Sequence, residues 1–136
     1  MKASLSYNES AECWIRGDLS QIPTALGRLG SYLAVRGVSE ETWKGIELAV
    51  AEALNNAVIH GCKGREDEGV TIQWNWSDLT LVVTVHDPSN FMPENVSANL
   101  PDDPLSEDGR GHFLMATLMD EVSHLRVDGH HALEMK

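Results

Sequence analysis

The stretch from residue 39 to residue 61 constrains the fold most, because it has the full signature of one long amphipathic helix. Ser39 is placed to act as the N-cap, and Glu40 and Glu41 follow in the first turn, where the helix dipole favours anions. Gly61 marks the predicted end of the helix. Its apolar residues recur at helical spacing and are Trp43, Ile46, Val50, Leu54, Ala57 and Val58. We therefore expect this helix to lie on the core.

Two runs in which apolar and polar residues alternate follow in residues 70–87, VTIQWNWSDLTLVVTVHD, the first with Val70, Ile72, Trp74 and Trp76 and the second with Leu79, Leu81, Val83 and Val85. This pattern predicts an antiparallel hairpin with one buried face. The end of the chain, SHLRVDGHHALEMK, predicts two more strands joined through Asp128 and Gly129. These two stretches predict a sheet that is mainly antiparallel.

The N-terminal part adds a strand and a helix. The segment ECWIRGD places Cys13 and Ile15 on one face of a strand, and an amphipathic stretch from Ser20 predicts a helix ending near Gly37. A few helices on one face of an antiparallel-rich sheet give an α+β fold.

The size and charge of the chain limit its function. Its 136 residues fit one domain, residues 1–136. Its net charge of −11 disfavours binding to nucleic acid or to an anionic membrane. No apolar run suggests a membrane span, no secretory signal is visible, and two cysteines are too few for a disulfide framework, so we expect a cytoplasmic protein. The Pro- and Asp-rich stretch at about residues 88–109 is long enough to predict a functional lid or a disordered loop.

Three polar residues interrupt the long helix at intervals of four, namely Glu52, Asn56 and His60. Positions four apart differ by about 40° around a helix axis, so the three side chains face the same place. A solvated helix face is the ordinary explanation for such a row. Here the neighbours are mostly Ala, Leu and Val, and unpaired polar groups in an apolar setting cost about 1–3 kcal/mol each. A bound ligand or metal would satisfy them.

Three motifs in this order resemble those of the GHKL ATPase and kinase superfamily: a helical polar row, an aspartate ending a hydrophobic strand, and two glycines opening a helix. Their residues are Glu52, Asn56 and His60; Asp87; and Gly109, Arg110, Gly111 and Leu114. The closest likeness is to the small anti-sigma-factor serine kinases of bacterial partner-switching systems, over roughly residues 10 to 136. The resemblance implies a two-layer α/β sandwich of the Bergerat ATPase type, with a mixed, mainly antiparallel sheet covered by helices on one face.

The resemblance also implies a reaction and its residues. ATP bound with Mg²⁺ would supply phosphate to a serine of an anti-sigma antagonist, while the kinase also binds a sigma factor or an equivalent target. Asn56 would be the Mg²⁺ ligand, since its amide oxygen is a hard donor. Glu52 would be the general base for the incoming hydroxyl group. Asp87 would accept a hydrogen bond from the adenine amino group. Family members are often dimers, so a homodimer is also expected.

The remaining nucleotide-binding residues lie near the phosphates. Gly109 and Gly111 lack Cβ atoms, so backbone N–H groups at the helix start can approach an anion. Leu114 belongs to the same motif. Arg110 is either a phosphate contact or a surface arginine, and His60 either touches the lid or phosphates or caps the helix C-terminus.

The chain departs from the family pattern beside Asp87. Ser89 stands where members usually have glycine, after Pro88, which restricts the backbone. Near the last strand, His130 and His131 stand where a threonine is common, and neither receives a predicted role. The alternative hypothesis is a degenerate member that acts as a partner-binding switch with weak or no kinase activity. A transition-metal site is a weaker alternative, since no zinc-motif spacing occurs among its candidates, His60, Cys62, His112, His130 and His131.

Overall fold

A computed structural model describes residues 9–77, 80–90, 115 and 117–136. Within these residues the chain forms five strands and two α-helices, with two short helical turns beside the helices. In chain order the elements are β1 (Glu9–Ile15), a 3₁₀ turn (Leu19–Gln21), α1 (Ile22–Val35), α2 (Glu40–Asn56), a π-helical turn (Ala57–Gly61), β2 (Val70–Ser77), β3 (Thr80–His86), β4 (Val122–Val127) and β5 (His130–Met135).

The strands form one sheet in the order β1-β2-β3-β5-β4. Each pairing between described strands is antiparallel, which confirms the predicted hairpins and the α+β class. At the β4–β5 turn, Asp128 and Gly129 have φ angles of 52° and 81°, the left-handed conformation that a tight two-residue turn requires. His86 on β3 lies opposite Ala132 on β5, so the next residue, Asp87, comes beside His131.

The two helices cover one face of the sheet, as predicted. Their fully buried residues include Leu29 and Leu33 of α1 and Val50 and Leu54 of α2. The sheet contributes the inward residues of its central strands, such as Ile72 and Val83. Burying side chains of this kind stabilises the fold by about 1.5–3 kcal/mol each, which explains why the apolar periods of the sequence predicted these elements well.

A glycine brings the two helices together. A Cβ atom added at Gly30 in α1 would lie 2.9 Å from the Trp43 ring of α2. Glycine lowers helix propensity, but here it permits a close contact between helices. The helix α1 ends at Val35, and Gly37 follows with a φ of 84°, so the predicted end near Gly37 is confirmed.

The start of α2 also confirms its prediction, because the Ser39 side chain accepts the N–H of Thr42 at 3.1 Å. The end of the helix differs. After Asn56 the chain continues as a π-helical turn, Ala57–Gly61, whose bonds join residues five apart. Glu52 and Asn56 lie on regular α-helix, as expected for a four-residue row, whereas His60 lies in the π-helical turn, so its place in the row stays a prediction.

Candidate functional site

The buried carboxylate of Asp87 is the centre of the site. Asp87 directly follows β3 and is only 6 % exposed, and among the residues that the structure describes it is the one buried acidic side chain. Both carboxylate oxygens have partners. Ser89 donates its backbone N–H and its hydroxyl to Oδ1, at 2.9 and 2.6 Å, and the Nδ1 of His131 lies 2.6 Å from Oδ2.

These partners keep Asp87 ionised. Burial alone would raise the pKa of a carboxyl group, because it removes water from the charged form. For Asp87 that effect is outweighed by the hydrogen bonds from His131 and Ser89, so the pKa lies below its usual value of 3.8. Asp87 is therefore a negatively charged hydrogen-bond acceptor at neutral pH.

His131 is held in turn by a second histidine. The Nε2 of His131 lies 2.8 Å from the Nδ1 of His124 on β4, and the two ring centroids are 5.1 Å apart. The sequence motifs predict no role for His131. Its position could have been found from the alternation on β5, because His131 shares its inward face with Leu133 and Met135. His130 is exposed, because adjacent strand residues point to opposite faces.

The segment after Asp87 is fastened by its backbone carbonyl groups. The Pro88 carbonyl accepts from Arg65 at 2.7 Å and lies 3.0 Å from the His130 ring. The Ser89 carbonyl accepts the N–H of His131 at 2.8 Å, and the Asn90 carbonyl accepts from the Arg126 guanidinium at 3.1 Å. Pro88 and Ser89, which depart from the family pattern, thus lie in a segment with a defined conformation.

Gly61 brings the end of the long helix against the carboxylate. A Cβ atom added there would lie 2.6 Å from the Cβ of Asp87 and 2.7 Å from its Oδ1, closer than real atoms approach. The sequence predicted Gly61 as a helix end, and the structure adds the reason that only glycine fits. The next residue, Cys62, is fully buried, and burial, with a further contribution from the Asp87 charge, raises the pKa of its thiol to about 11. Cys62 is therefore a neutral packing residue.

Glu52 and Asn56 lie one turn apart on α2, and both are half-buried. Residues four apart on a helix have Cβ atoms about 6 Å from each other, so one ligand can reach both side chains. His60, in the π-helical turn, is exposed. The sequence predicted that these polar side chains lie among apolar residues. Glu52 and Asn56 are instead only half-buried, so solvent or a ligand can reach them on one side.

The phosphate motif, formed by Gly109, Arg110, Gly111 and Leu114, lies outside the described residues, as does most of the predicted lid at 88–109. Just after this motif, Met115 is helical and buried in the core. Across the described residues, no three His, Cys, Asp or Glu side chains are grouped closely enough to hold a metal ion.

Comparison with known proteins matches residues 15–136 to the histidine kinase-like ATPase domain. Among similar proteins, the serine-protein kinase RsbW of Listeria innocua is 36% identical over 108 residues, which is 72% of this chain and 69% of that protein. The serine-protein kinase RsbW of Bacillus subtilis is 33% identical over 102 residues, covering 69% of this chain and 62% of that protein.

A solved structure shows the same fold. It contains the RsbU and RsbW domains of Rv1364c from Mycobacterium tuberculosis, and it matches 93% of this chain and 31% of its own chain with a TM-score of 0.70. At 16% sequence identity, this likeness concerns the fold alone. It agrees with the two-layer sandwich expected from the sequence.

Proposed function

Because the chain belongs to the histidine kinase-like ATPase family, we propose that it is an ATP-dependent serine-protein kinase and anti-sigma factor. In this function it binds a sigma factor or an equivalent target and phosphorylates a serine of an anti-sigma antagonist. One observation carries the proposal: the buried carboxylate of Asp87 lies against Gly61, at the end of the helix that carries Glu52 and Asn56.

The base of the nucleotide binds at Asp87. An ionised carboxylate accepts a hydrogen bond from an amino group such as the one on adenine. The missing side chain at Gly61 lets the end of the helix lie directly against this carboxylate, where a Cβ atom would overlap it. A carboxylate acceptor held in this way fits a base with an amino group.

The phosphates extend from there towards Asn56 and Glu52. From Gly61 back to Glu52 the helix rises by roughly 13 Å, a length comparable to that of a nucleoside triphosphate. His60 lies between the two ends and is exposed, so it can reach the ligand. Gly109, Arg110, Gly111 and Leu114 complete the phosphate site in this proposal, under a lid at residues 88–109.

Asn56 fits a magnesium ion by the chemistry of its donor atom. Mg²⁺ prefers oxygen ligands and usually binds through one or two protein groups together with phosphates of the substrate. The half-buried amide of Asn56 offers one such oxygen beside the proposed phosphate path. Bound there, Mg²⁺ would supply positive charge to offset the phosphates in a protein with a net charge of −11.

Glu52 acts as the general base. It accepts the proton of the serine hydroxyl as the serine oxygen forms a bond to the γ-phosphorus of ATP. The bond between that phosphorus and the β,γ-bridging oxygen breaks, and ADP leaves with the electron pair. Glu52 is half-buried and has access to an incoming protein, which suits a base that acts on a macromolecular substrate.

The proposed setting is the cytoplasm, where the protein forms a homodimer and binds its two protein partners without direct contact to nucleic acid or membrane. The net charge of −11 supports basic partner surfaces. In the described part of the chain, no helix combines the length and apolar character needed to cross a membrane.

Calorimetric titration with ATP and ADP, with and without Mg²⁺, tests the nucleotide site first. We expect Mg²⁺-dependent binding of both nucleotides. A folded wild-type protein that binds neither nucleotide would contradict the kinase function and favour a partner-binding switch without kinase activity.

The Glu52→Gln variant tests the chemistry. Transfer of labelled γ-phosphate from ATP to serine in an extract of the source cells should fall by roughly 10²- to 10⁴-fold, while ATP affinity changes little, because only the base is lost. Glu41→Gln, an exposed glutamate in the first turn of the same helix, is the control and should retain full transfer. An equal loss of binding and transfer in Glu52→Gln would show that Glu52 is structural.

A further inference from the structure

The hydrogen bonds of Asp87 leave little of its acceptor capacity unused. A carboxylate has two oxygens with about four acceptor positions in total. Ser89 occupies two positions on Oδ1 and His131 occupies one on Oδ2. The described residues thus leave one acceptor position, on Oδ2, for a donor on a ligand.

The ionised carboxylate also decides which His131 nitrogen carries a proton. Asp87 can only accept, so the Nδ1 of His131 must donate. In a neutral imidazole the other nitrogen is then an acceptor. The Nε2 of His131 faces the Nδ1 of His124 at 2.8 Å, so His124 donates from Nδ1 when both rings are neutral. The tautomers of both histidines follow from the charge on Asp87.

The three residues come from three strands whose register holds them in line. Asp87 follows β3, His131 lies on the neighbouring β5, and His124 lies on β4 at the sheet edge. The backbone reinforces the first contact, because the Asp87 N–H donates to the His131 carbonyl at 3.1 Å. His131 is nearly as buried as Asp87, with side-chain exposures of 11% and 4%. Another orientation of either side chain would lose these bonds.

We propose that His131, supported by His124, is a positioning residue that orients the Asp87 carboxylate so that one acceptor position faces the base of the nucleotide. This role rests on the proposed function, since it concerns the same nucleotide site. It assigns a purpose to two histidines that the family motifs leave unexplained.

The arrangement has a consequence for nucleotide selectivity. Adenine carries an amino group that donates to the remaining position on Oδ2, whereas guanine carries the acceptor O6 at the corresponding place. A carboxylate that is held ionised and in a fixed orientation therefore repels guanine. If the carboxylate could rotate, it could also accept from other N–H groups of a base, and selectivity would fall.

Titration of ATP and GTP into wild type and four variants tests the role. His131→Phe keeps the ring volume and removes the donor, and it should weaken ATP binding about tenfold and reduce the preference for ATP over GTP. His131→Asn keeps an N–H near the position of Nδ1 and should bind ATP within about threefold of wild type. His124→Phe should have an intermediate effect of about threefold, because it removes only the second hydrogen bond.

His86→Phe is the matched control. His86 also lies next to Asp87 in the sequence, but its ring bonds Gln73 at 2.8 Å on the opposite face of the sheet. We expect wild-type affinity for both nucleotides in this variant. Thermal melting of each variant confirms that the proteins compared are folded.

Nitrogen-15 NMR of the histidine rings supplies a readout that does not need a nucleotide. In the wild type we expect His131 protonated at Nδ1, and in Asp87→Asn we expect this signal to change. A wild-type His131 protonated only at Nε2 would overturn the proposal. So would a folded His131→Phe variant with unchanged ATP affinity and selectivity, or a His131→Asn variant that loses as much affinity as His131→Phe.

The outcome for the wild type separates the two proposals. If the wild type binds ATP and the histidine variants bind it equally well, only the positioning role fails. If the folded wild type binds no nucleotide, the proposed function fails, and the role of His131 towards the base fails with it.

Discussion

Each face of the sheet carries a chain of hydrogen-bonded side chains, and the two chains have similar composition. His86 belongs to the outer chain, and Asp87 belongs to the inner chain. On the inner face, His124 and His131 lead to Asp87. On the outer face, His86 contacts Gln73 at 2.8 Å, and Gln73 donates to Glu12 at 3.0 Å. Each chain joins a histidine to a carboxylate across neighbouring strands.

Burial makes the hydrogen bonds of the inner chain stronger than those of the outer chain. Glu12 and Gln73 are exposed, so water competes for their hydrogen bonds, and exposed polar pairs contribute at most about 1 kcal/mol. Asp87 is buried, and a charge-assisted hydrogen bond in a buried site is roughly twice as strong as a neutral one. The same residue types therefore give a binding centre on one face and an ordinary surface on the other.

Among the variants that test this difference between the faces, Asp87→Asn should have the largest effect on ATP affinity. The amide removes the charge and places an N–H₂ group where either His131 or the base requires an acceptor, so ATP affinity should fall by about 100-fold or more. Glu12→Gln makes the same chemical change in the outer chain and should alter ATP affinity less than about twofold. Calorimetry measures both. Similar losses in the two variants would mean that burial does not set the roles of the two faces.

Gly61→Ala should have the next largest effect, because its Cβ would overlap the Asp87 side chain. Forcing an extra carbon into a packed site costs typically about 1–3 kcal/mol of stability, and here it should also weaken ATP binding. Denaturant unfolding measures the stability. The control is Gly27→Ala in α1, where an added Cβ meets nothing within 4 Å and should stabilise the helix by about 0.5–1 kcal/mol. A neutral Gly61→Ala would show that the helix end and Asp87 can move apart freely.

The free energy of unfolding should depend on pH differently for His86 on the outer face and Asp87 on the inner face, and these effects should be smaller than those above. Burial lowers the pKa of His86 from 6.5, although Glu12 and Asp87 oppose the shift. As the pH falls below 6.5, the unfolded chain therefore binds a proton at this position before the folded chain does, and stability is lost. The contribution should be below about 1 kcal/mol, since His86 is only half-buried.

For Asp87 the pH range in which stability is lost lies lower than for His86. Its folded pKa lies below 3.8, so its contribution is present above pH 3.8 and is lost as the pH falls through the folded pKa. Unfolding measured across pH should show a smaller loss below pH 6.5 in His86→Phe and a smaller loss below pH 3.8 in Asp87→Asn. If His86→Phe instead reduced the loss below pH 3.8, and Asp87→Asn reduced the loss below pH 6.5, the environments described for these two groups would be contradicted.

The sequence was a good guide to the fold because its signals are local. Ser39 caps α2 as predicted, and the alternation in residues 70–87 gives the β2–β3 hairpin. The end of α2 was less predictable. A π-helical turn at Ala57–Gly61 has no signature in the apolar spacing, so the sequence did not show that His60 leaves the regular α-helix.

By itself the sequence determined the order of the elements, the inward and outward faces of the strands, and Asp87 as the residue that ends a buried strand. These features depend on residue periodicity and on neighbours a few positions away. The tertiary structure decided that His131 and Ser89 bind Asp87, that His124 supports His131, and that Gly61 must lack a side chain. These contacts join residues up to 44 positions apart, and only strand register and helix packing bring such residues together.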